Sequence, residues 1–255
     1  MLALSHGCVM PEQAATTPED TARRSYHEAM EELVAGNYAH AMQLFQKVSR
    51  SPSYIRHAPL ARLRIGDALF LQQNYEEAIE AYRGFVSQYG NNPNLPYARY
   101  RIAVCYHRRI PGDWVIVPPR FEKDQSMTRQ AVRELAGFLR TFPTSPFAGD
   151  AKDKLEDANR ILLSHEIYVA DYYADKEQWL AVAWRLDAAI GEYSGLIDDP
   201  EIYWRRAHAF QSAGHQEDAR RAYQSYLDAF PNGEMAPRAR EAMGEDPGKP
   251  VDESR

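Results

Sequence analysis

The fold of this chain is decided by IGDALFLQQNYEEAIEAY, residues 65–82. Gly66 lies in a first helical pattern, a polar turn follows, and Ala78 lies in a second apolar stripe that continues to Tyr82. The same arrangement recurs along the chain. In the first helix of each copy, small residues are separated by steps of 37, 37, 67 and 37: Ala29, Gly66, Ala103, Ala170 and Ala207. The small residues of the second helices follow in the same order: Ala41, Ala78, Ala131, Val182 and Ala219.

Small residues at a fixed period, separated by bulky apolar residues, are typical of helix pairs that approach closely and stack. The period therefore predicts an all-α fold, an α-solenoid of five helical hairpins with an insertion in the third repeat. The hairpins are expected at about residues 22–55, 59–92, 96–145, 148–196 and 200–232. Residues 1–20 are interpreted as a tether, 21–242 as the superhelix and 243–255 as a disordered tail. Thr17 and Pro18 supply a cap and a first-turn proline for the first helix.

The third hairpin is longer than the others. The interval from Ala103 to Ala131 exceeds its counterparts by 16 residues, which places a long loop at about residues 107–125. That loop contains Trp114 at the start of a short apolar run, and long loops between helices are usually functional or disordered. Further along, residues 148–165 run straight into the next repeat, so one long helix is expected there.

Composition excludes several classes of function. The 255 residues carry a net charge of −6, which disfavours nucleic acid as a partner because phosphate binding requires a basic surface. No apolar run approaches the about 18 residues of a membrane-spanning helix. Two cysteines, Cys8 and Cys105, provide neither a disulfide framework nor a metal cluster. Motifs of hydrolases, nucleotide-binding proteins and zinc enzymes are missing, so we predict a binding protein without catalysis, metal or cofactor.

Two charged motifs invite a chemical interpretation. His165 and Glu166 are adjacent on a helix, but no second ligand stands one turn away, so we expect Glu166 to pair with a cation such as Arg185. Residues 106–109, Tyr-His-Arg-Arg, are interpreted as a solvated helix end that complements the helix dipole, or as a contact for an acidic partner.

The first helix of each hairpin is expected to line the inner face of the stack. The inner positions are those that lie three residues before the small residue, one residue after it, and four or five residues after it. At these positions the side chains are apolar and aromatic in the N-terminal half of the chain and polar in the C-terminal half. We predict a peptide-binding groove lined by Tyr26, Met30, Leu63, Phe70, Tyr97, Tyr100, His107 and Arg108. An apolar groove with a cationic edge suits a short extended segment that ends in an aromatic residue and a free carboxylate. Alternatively, these side chains pack against the next repeat or lie beneath the inserted loop.

The hairpins resemble tetratricopeptide repeats, in which a Gly-x-aromatic-x-x-Ala turn joins the two helices. A narrower resemblance lies in the middle of the chain, where four segments follow the order found in the BamD family. They are DQSMT (124–128), FPTSPFAGDA (142–151), HEIYVADYY (165–173) and AWR (183–185). An insertion in the third repeat is also a feature of that family, whereas the Trp114 loop has no counterpart that we can match.

The BamD family comprises tetratricopeptide-repeat lipoproteins of the outer-membrane β-barrel assembly (BAM) complex. The resemblance implies a non-catalytic scaffold and substrate receptor on the periplasmic face of the outer membrane of a Gram-negative bacterium, held there only by a lipid on Cys8. It implies that C-terminal repeats dock onto the periplasmic domains of a BamA-like barrel insertase and that other BAM lipoproteins are partners. It further implies binding of unfolded outer-membrane proteins through their C-terminal targeting segments.

Several alternatives remain open at this point. Gly7 before Cys8 fits a lipoprotein motif, but Ser5 stands where leucine is usual and the preceding apolar stretch is too short for a signal peptide. Either the true start lies upstream of Met1, or Cys8 is a thiol in a tail. Another periplasmic tetratricopeptide adaptor, of the Tol-linked cell-division type, is disfavoured because residues 1–20 hold no coiled coil. A lytic transglycosylase is disfavoured because the hairpins leave no room for its catalytic domain.

Overall fold

The computed structural model describes residues 17–50, 57–112 and 118–244. These residues form eleven α-helices and two 3₁₀ turns, Arg120–Glu122 and Ser194–Leu196, and contain no strand, which confirms the predicted all-α fold. The helices are α1 (Pro18–Val34), α2 (Tyr38–Arg50), α3 (Ala58–Leu71), α4 (Tyr75–Gln88), α5 (Leu95–Arg108), α6 (Ser126–Thr141), α7 (Ala148–Ala174), α8 (Trp179–Tyr193), α9 (Pro200–Ser212), α10 (Gln216–Ala229) and α11 (Ala236–Met243). The chain divides into two compact units, and the division lies within α5 between Cys105 and Tyr106.

The small residues of the repeat are buried where helices meet. Ala29 and Ala41 are fully buried in a core that joins α1, α2 and α3, together with Phe45 and Val48. Gly66 of α3 shows why the position must be small. A Cβ built there would lie 2.6 Å from Cε1 of Tyr82 on α4, so the tyrosine ring occupies the space that any side chain would need.

Four hairpin turns share one backbone conformation. Each contains a residue in the left-handed region, and these residues are Gly36 (φ 83°), Gln73 (φ 63°), Glu177 (φ 56°) and Gly214 (φ 78°). In every case the next amide donates to a carbonyl five residues earlier, with N···O distances of 2.9–3.0 Å. This is the Schellman pattern that ends helices. The turn is therefore retained even where the sequence offers glutamine or glutamate instead of glycine.

The second unit is built around α7, the 27-residue helix that the sequence predicted as one long element. Helices α7 to α10 share a buried core, and Leu186, Tyr223 and Tyr226 are among its most deeply buried residues. Helix α11 was missed, because the last predicted hairpin ended at about residue 232. In the structure Ala236, Ala239 and Met243 are buried in this core, so the predicted tail cannot begin at residue 243.

The N-terminal boundary also differs from the sequence prediction. Helix α1 begins at Pro18, and the side chain of Thr17 accepts a hydrogen bond from the Asp20 amide at 3.1 Å, as its sequence indicated. The helix therefore starts inside the region assigned to the tether. Cys8 and Trp114 lie outside the described residues. Among the helices that are described, none is both long and apolar enough to cross a membrane.

Substitution of Gly66 by alanine tests the close approach of α3 and α4. We expect G66A to lower the free energy of unfolding by about 1–3 kcal/mol, because the new methyl group overlaps the Tyr82 ring. Urea unfolding followed by circular dichroism at 222 nm measures this.

The matched control is G84A on α4, where a Cβ meets nothing within 4 Å. That variant should be unchanged or more stable by about 0.5–1 kcal/mol, since alanine favours the helix over glycine. Equal behaviour of the two variants would contradict the packing argument.

Candidate functional site

The first unit contains a buried carboxylate with several donors around it. Asp67 on α3 is 5% exposed, although its position was predicted to face the groove. Its Oδ1 accepts from the hydroxyl groups of Tyr82 at 2.6 Å and Tyr97 at 2.8 Å. Its Oδ2 accepts from Nη1 of Arg64 at 2.5 Å. One side chain thus ties three helices, α3, α4 and α5, together.

Arg101 on α5 is the second cation of this cluster. Its Nε donates to the Tyr82 hydroxyl at 3.2 Å and lies 3.8 Å from Asp67 Oδ1. The guanidinium carbon sits 3.7 Å from the centre of the Phe70 ring, a cation–π contact. The ring of Tyr97 lies farther away, at 5.7 Å.

Tyr26 on α1 joins the same network through Arg64. Nε of Arg64 donates to the Tyr26 hydroxyl at 3.4 Å. The Tyr26 ring packs against Phe45 and His57, with centroid distances of 5.7 and 5.9 Å. The aromatic residues Tyr26, Phe70 and Tyr97, which the sequence assigned to one groove, are therefore linked by Asp67 and its two arginines.

Burial and the nearby negative charge of Asp67 raise the pKa of both Tyr82 and Tyr97. Their hydroxyl groups consequently remain protonated and act as donors to the carboxylate. Asp67 contributes one negative charge, and Arg64 and Arg101 contribute two positive charges. The cluster thus carries one more positive than negative charge.

The structure brings some of the residues predicted to line the groove together and buries others in the core. Tyr26, Phe70 and Tyr97 are brought together as described, Met30 packs against the core of α1, α2 and α3, and Tyr100 is half-buried. The prediction for Leu63 is wrong: its side chain is 1% exposed. Helix α3 is apolar around most of its circumference, so a rule based on position alone could not distinguish a core leucine from a groove leucine.

Two apolar residues that the sequence placed at inner positions are strongly exposed. Val34 ends α1 with 83% of its surface exposed, and Leu71 ends α3 with 47% exposed. They lie 37 residues apart, at equivalent positions of consecutive repeats. Both residues therefore present apolar surface to solvent at the same position of the repeat.

His107 belongs to the second unit and is already paired. Its Nε2 lies 2.9 Å from Asp157 Oδ2 on α7, and Nη2 of Arg120 donates to the other oxygen at 3.3 Å. Burial lowers the pKa of His107, although Asp157 opposes this shift. Arg108, by contrast, is exposed. His107 therefore fastens the end of α5 to α7.

The inserted segment is held on α7 by a second histidine. Nδ1 of His165 donates to the carbonyl oxygen of Phe121 at 2.6 Å, and the Phe121 ring packs against Tyr168 with a centroid distance of 5.8 Å. His165 thus has a structural partner, which the sequence did not identify. The 3₁₀ turn of the insertion, Arg120–Glu122, is therefore packed on α7.

Glu166 forms the corresponding charged cluster of the second unit. It is 7% exposed and accepts from Arg185 at 3.0 Å and from Arg129 at 3.4 Å. The pairing with Arg185 confirms the sequence prediction. Both arginine side chains remain nearly half exposed, at 44% and 45%.

Trp184 lies beside Arg185 on α8 and is 61% exposed. The second unit also exposes Tyr168 and Tyr172 on α7, at 37% and 50%. Sequence reasoning missed Trp184 because it follows Ala183 in an apolar helix and carries no motif of its own. The sequence indicates its exposure only through its position two residues after the buried Val182, because two residues with this spacing lie on different sides of a helix.

These features define a tetratricopeptide-repeat protein with an aromatic, arginine-containing surface in its first unit and a tryptophan–arginine surface in its second. A model of the family described as YfiO, outer membrane lipoprotein, matches residues 18–225, and the chain belongs to this family. The resemblance to the BamD family is thereby confirmed.

Curated relatives support the assignment. The chain is 29% identical over 196 residues to the outer membrane protein assembly factor BamD of Caulobacter vibrioides, covering 77% of this chain and 62% of that protein. It therefore spans less than two thirds of that relative. The proteins of the same name from Neisseria meningitidis serogroup A and Rickettsia prowazekii are 26% and 25% identical, covering 86% and 81% of this chain and 84% and 79% of theirs.

Solved structures of other helical-repeat proteins are more distant. The TPR2AB domain of yeast Sti1 in its pHSP90 complex is 15% identical, with a TM-score of 0.44, covering 88% of this chain and 81% of that one. A thermophilic TPR protein of Thermus thermophilus has a TM-score of 0.36 at 17% identity, covering 87% of this chain and 98% of that one.

Substitution of Asp67 by asparagine tests its role as the anchor of the first cluster. We expect D67N to destabilise the protein by about 2–3 kcal/mol, because two partly buried arginines lose their only nearby carboxylate among the described residues. Denaturant unfolding gives the difference.

The control for that substitution is E80Q on α4. Glu80 is 72% exposed and pairs with Arg83, so its loss should cost less than about 0.5 kcal/mol. If D67N is as stable as E80Q, Asp67 does not hold the cluster together.

Proposed function

We propose that this protein is a non-catalytic assembly factor for outer-membrane proteins. The observation that carries the proposal is the family match over residues 18–225, supported by relatives named as assembly factors. In this role the protein binds other polypeptides and holds them in place. The two units offer different surfaces, and we assign a different task to each.

The first unit is proposed to receive unfolded outer-membrane proteins. Val34 and Leu71 present apolar surface to solvent, and the half-buried rings of Tyr26, Phe70 and Tyr97 accompany them. Burying one leucine-sized side chain contributes about 1.5–3 kcal/mol, so two such contacts contribute about 3–6 kcal/mol. Micromolar binding requires about 8 kcal/mol, so the aromatic rings and polar contacts supply the remainder. The occupant is a short extended segment that ends in an aromatic residue and a carboxylate, which is the chemistry expected of a substrate's C-terminal targeting segment.

The second unit is proposed to dock onto the periplasmic domains of a BamA-like insertase. Trp184 is the largest strongly exposed side chain among the described residues, and Arg185 lies next to it. Tryptophan and arginine are the residue types that most often dominate binding energy at protein interfaces. Because Glu166 is shared by two arginines, this surface retains a positive charge and suits a carboxylate of the partner.

We further propose that Cys8 carries a lipid that anchors the protein at the periplasmic face of the outer membrane, where other BAM lipoproteins are its neighbours. Nine residues lie between Cys8 and the first residue of α1, Pro18. An acyl anchor at that position keeps the repeats close to the membrane without a membrane-spanning helix.

A charge placed at Leu71 tests the substrate surface. We expect L71E to weaken binding of a peptide of about ten residues ending in phenylalanine by at least about tenfold, because the glutamate cannot be buried against an apolar segment. Fluorescence polarisation of the labelled peptide measures this. The control variant Q43E adds the same charge at an exposed position on α2 and should bind the peptide normally. Unchanged binding by L71E would exclude Leu71 from the surface.

Truncation of Trp184 tests the docking surface. We expect W184A to weaken binding of the isolated periplasmic domains of the insertase by about thirtyfold, the effect of losing about 2 kcal/mol at an interface centre. Isothermal titration calorimetry measures the affinity.

The two surfaces provide controls for each other. W184A should bind the peptide normally, and L71E should bind the insertase domains normally. If either substitution weakens both interactions, the assignment of separate tasks to the two units is wrong.

A further inference from the structure

The cluster around Asp67 contains one arginine whose charge is not directly neutralised. Arg64 is paired with the carboxylate at 2.5 Å, whereas Arg101 is 3.8 Å away and reaches it through the Tyr82 hydroxyl. The positive charge left over in the cluster therefore belongs mainly to Arg101. Its side chain is only 17% exposed, so water screens that charge less than it would on an open surface.

Arg101 also has unused hydrogen-bonding capacity. Among the described residues only its Nε donates a hydrogen bond, to Tyr82, and the two terminal nitrogens have no partner there. Neither of these nitrogens is among the described atoms that are fully buried without a partner, so each keeps some accessible surface. The guanidinium carbon lies over the Phe70 ring, 3.7 Å from its centre, and this contact helps to hold the side chain in place. Two parallel N–H groups on a fixed plane match the two oxygens of a carboxylate.

Arg101 contacts a residue that is adjacent in sequence to the surface proposed to bind substrates. Its ring partner Phe70 immediately precedes Leu71, one of the two exposed apolar residues of the first unit. The sequence had assigned the cationic edge to His107 and Arg108. His107, however, is paired with Asp157 and its pKa is lowered, so it is a poor cation for a peptide.

We propose that Arg101 forms a carboxylate subsite in the first unit and binds the chain-terminal carboxylate of the peptide. The inference rests on the proposed function of that unit and names the side chain that binds the carboxylate of the peptide. An apolar side chain of the ligand lies on Leu71, and its terminal carboxylate accepts two hydrogen bonds from Arg101.

A single terminal carboxylate fits these surroundings better than an acidic segment does. Asp67 lies within 4 Å of Arg101, and the whole protein carries a net charge of −6. Several acidic side chains in a row would meet that negative charge, whereas one carboxylate next to an apolar residue meets the guanidinium and the exposed leucine.

The test compares two peptides that differ only at their end. Both have about ten residues and end in phenylalanine, one as the free acid and the other as the C-terminal amide. We expect the native protein to bind the acid about tenfold more tightly, which corresponds to about 1.4 kcal/mol. In R101Q the acid should bind only as well as the amide, and the affinity for the amide should stay unchanged.

Two further variants serve as controls for this comparison. R99Q removes the same charge from an exposed position on α5 and should keep the preference for the acid. R101K keeps the charge but loses the planar pair of donors, and it should retain only part of the preference. Circular dichroism establishes that each variant is folded.

The possible outcomes separate this inference from the proposed function. Equal affinity of the native protein for acid and amide would overturn the carboxylate subsite and leave peptide binding intact. A failure to bind either peptide would overturn the receptor function itself. An amidated peptide with aspartate as its last residue tests the source of the carboxylate; if it binds as tightly as the acid, the commitment to the chain terminus is wrong. The comparison in the native protein stands even if R101Q fails to fold.

Discussion

The close approach of a small residue on one helix to an aromatic ring on the next is the constraint on which the first unit depends. Because Gly66 has no side chain, the Tyr82 ring lies directly against α3. At that depth its hydroxyl reaches the buried Asp67, and the same carboxylate then holds Tyr97 and Arg64. The close packing within the hairpin thus allows a polar cluster to form, and this cluster contacts the rings of Tyr26, Phe70 and Tyr97.

The two units contain similar charged clusters in different surroundings. In each, one buried carboxylate interacts with two arginines: Asp67 in the first unit and Glu166 in the second. Around Asp67 the arginines are mostly buried, and Arg101 stacks on an aromatic ring. Around Glu166 they are nearly half exposed, next to the exposed Trp184. Burial of the cations therefore distinguishes the cluster that ties α3, α4 and α5 together from the cluster that leaves its arginines at the surface.

The features that could be predicted from the sequence are those that depend on residues close together in the chain. The five hairpin landmarks, the long helix α7 and the cap at Thr17 all follow from residues within a few turns of one another. The pair of Glu166 and Arg185 was also accessible, because both lie in one hairpin. By contrast, Tyr97 and Asp67 are 30 residues apart and His107 and Asp157 are 50 residues apart, so no periodicity relates them. Leu63 was misassigned because α3 is apolar on more than one side, and α11 was missed because it is only eight residues long.

Helix α7 has a mechanical consequence for the second unit. It carries Asp157 and Glu166 nine residues apart, which is about 13–14 Å along a continuous helix. The first residue fastens the inserted segment through Arg120, and the second orients Arg185. Because α7 continues without a break between them, one helix fixes the distance between the attachment point of the inserted segment and the carboxylate that pairs with Arg185.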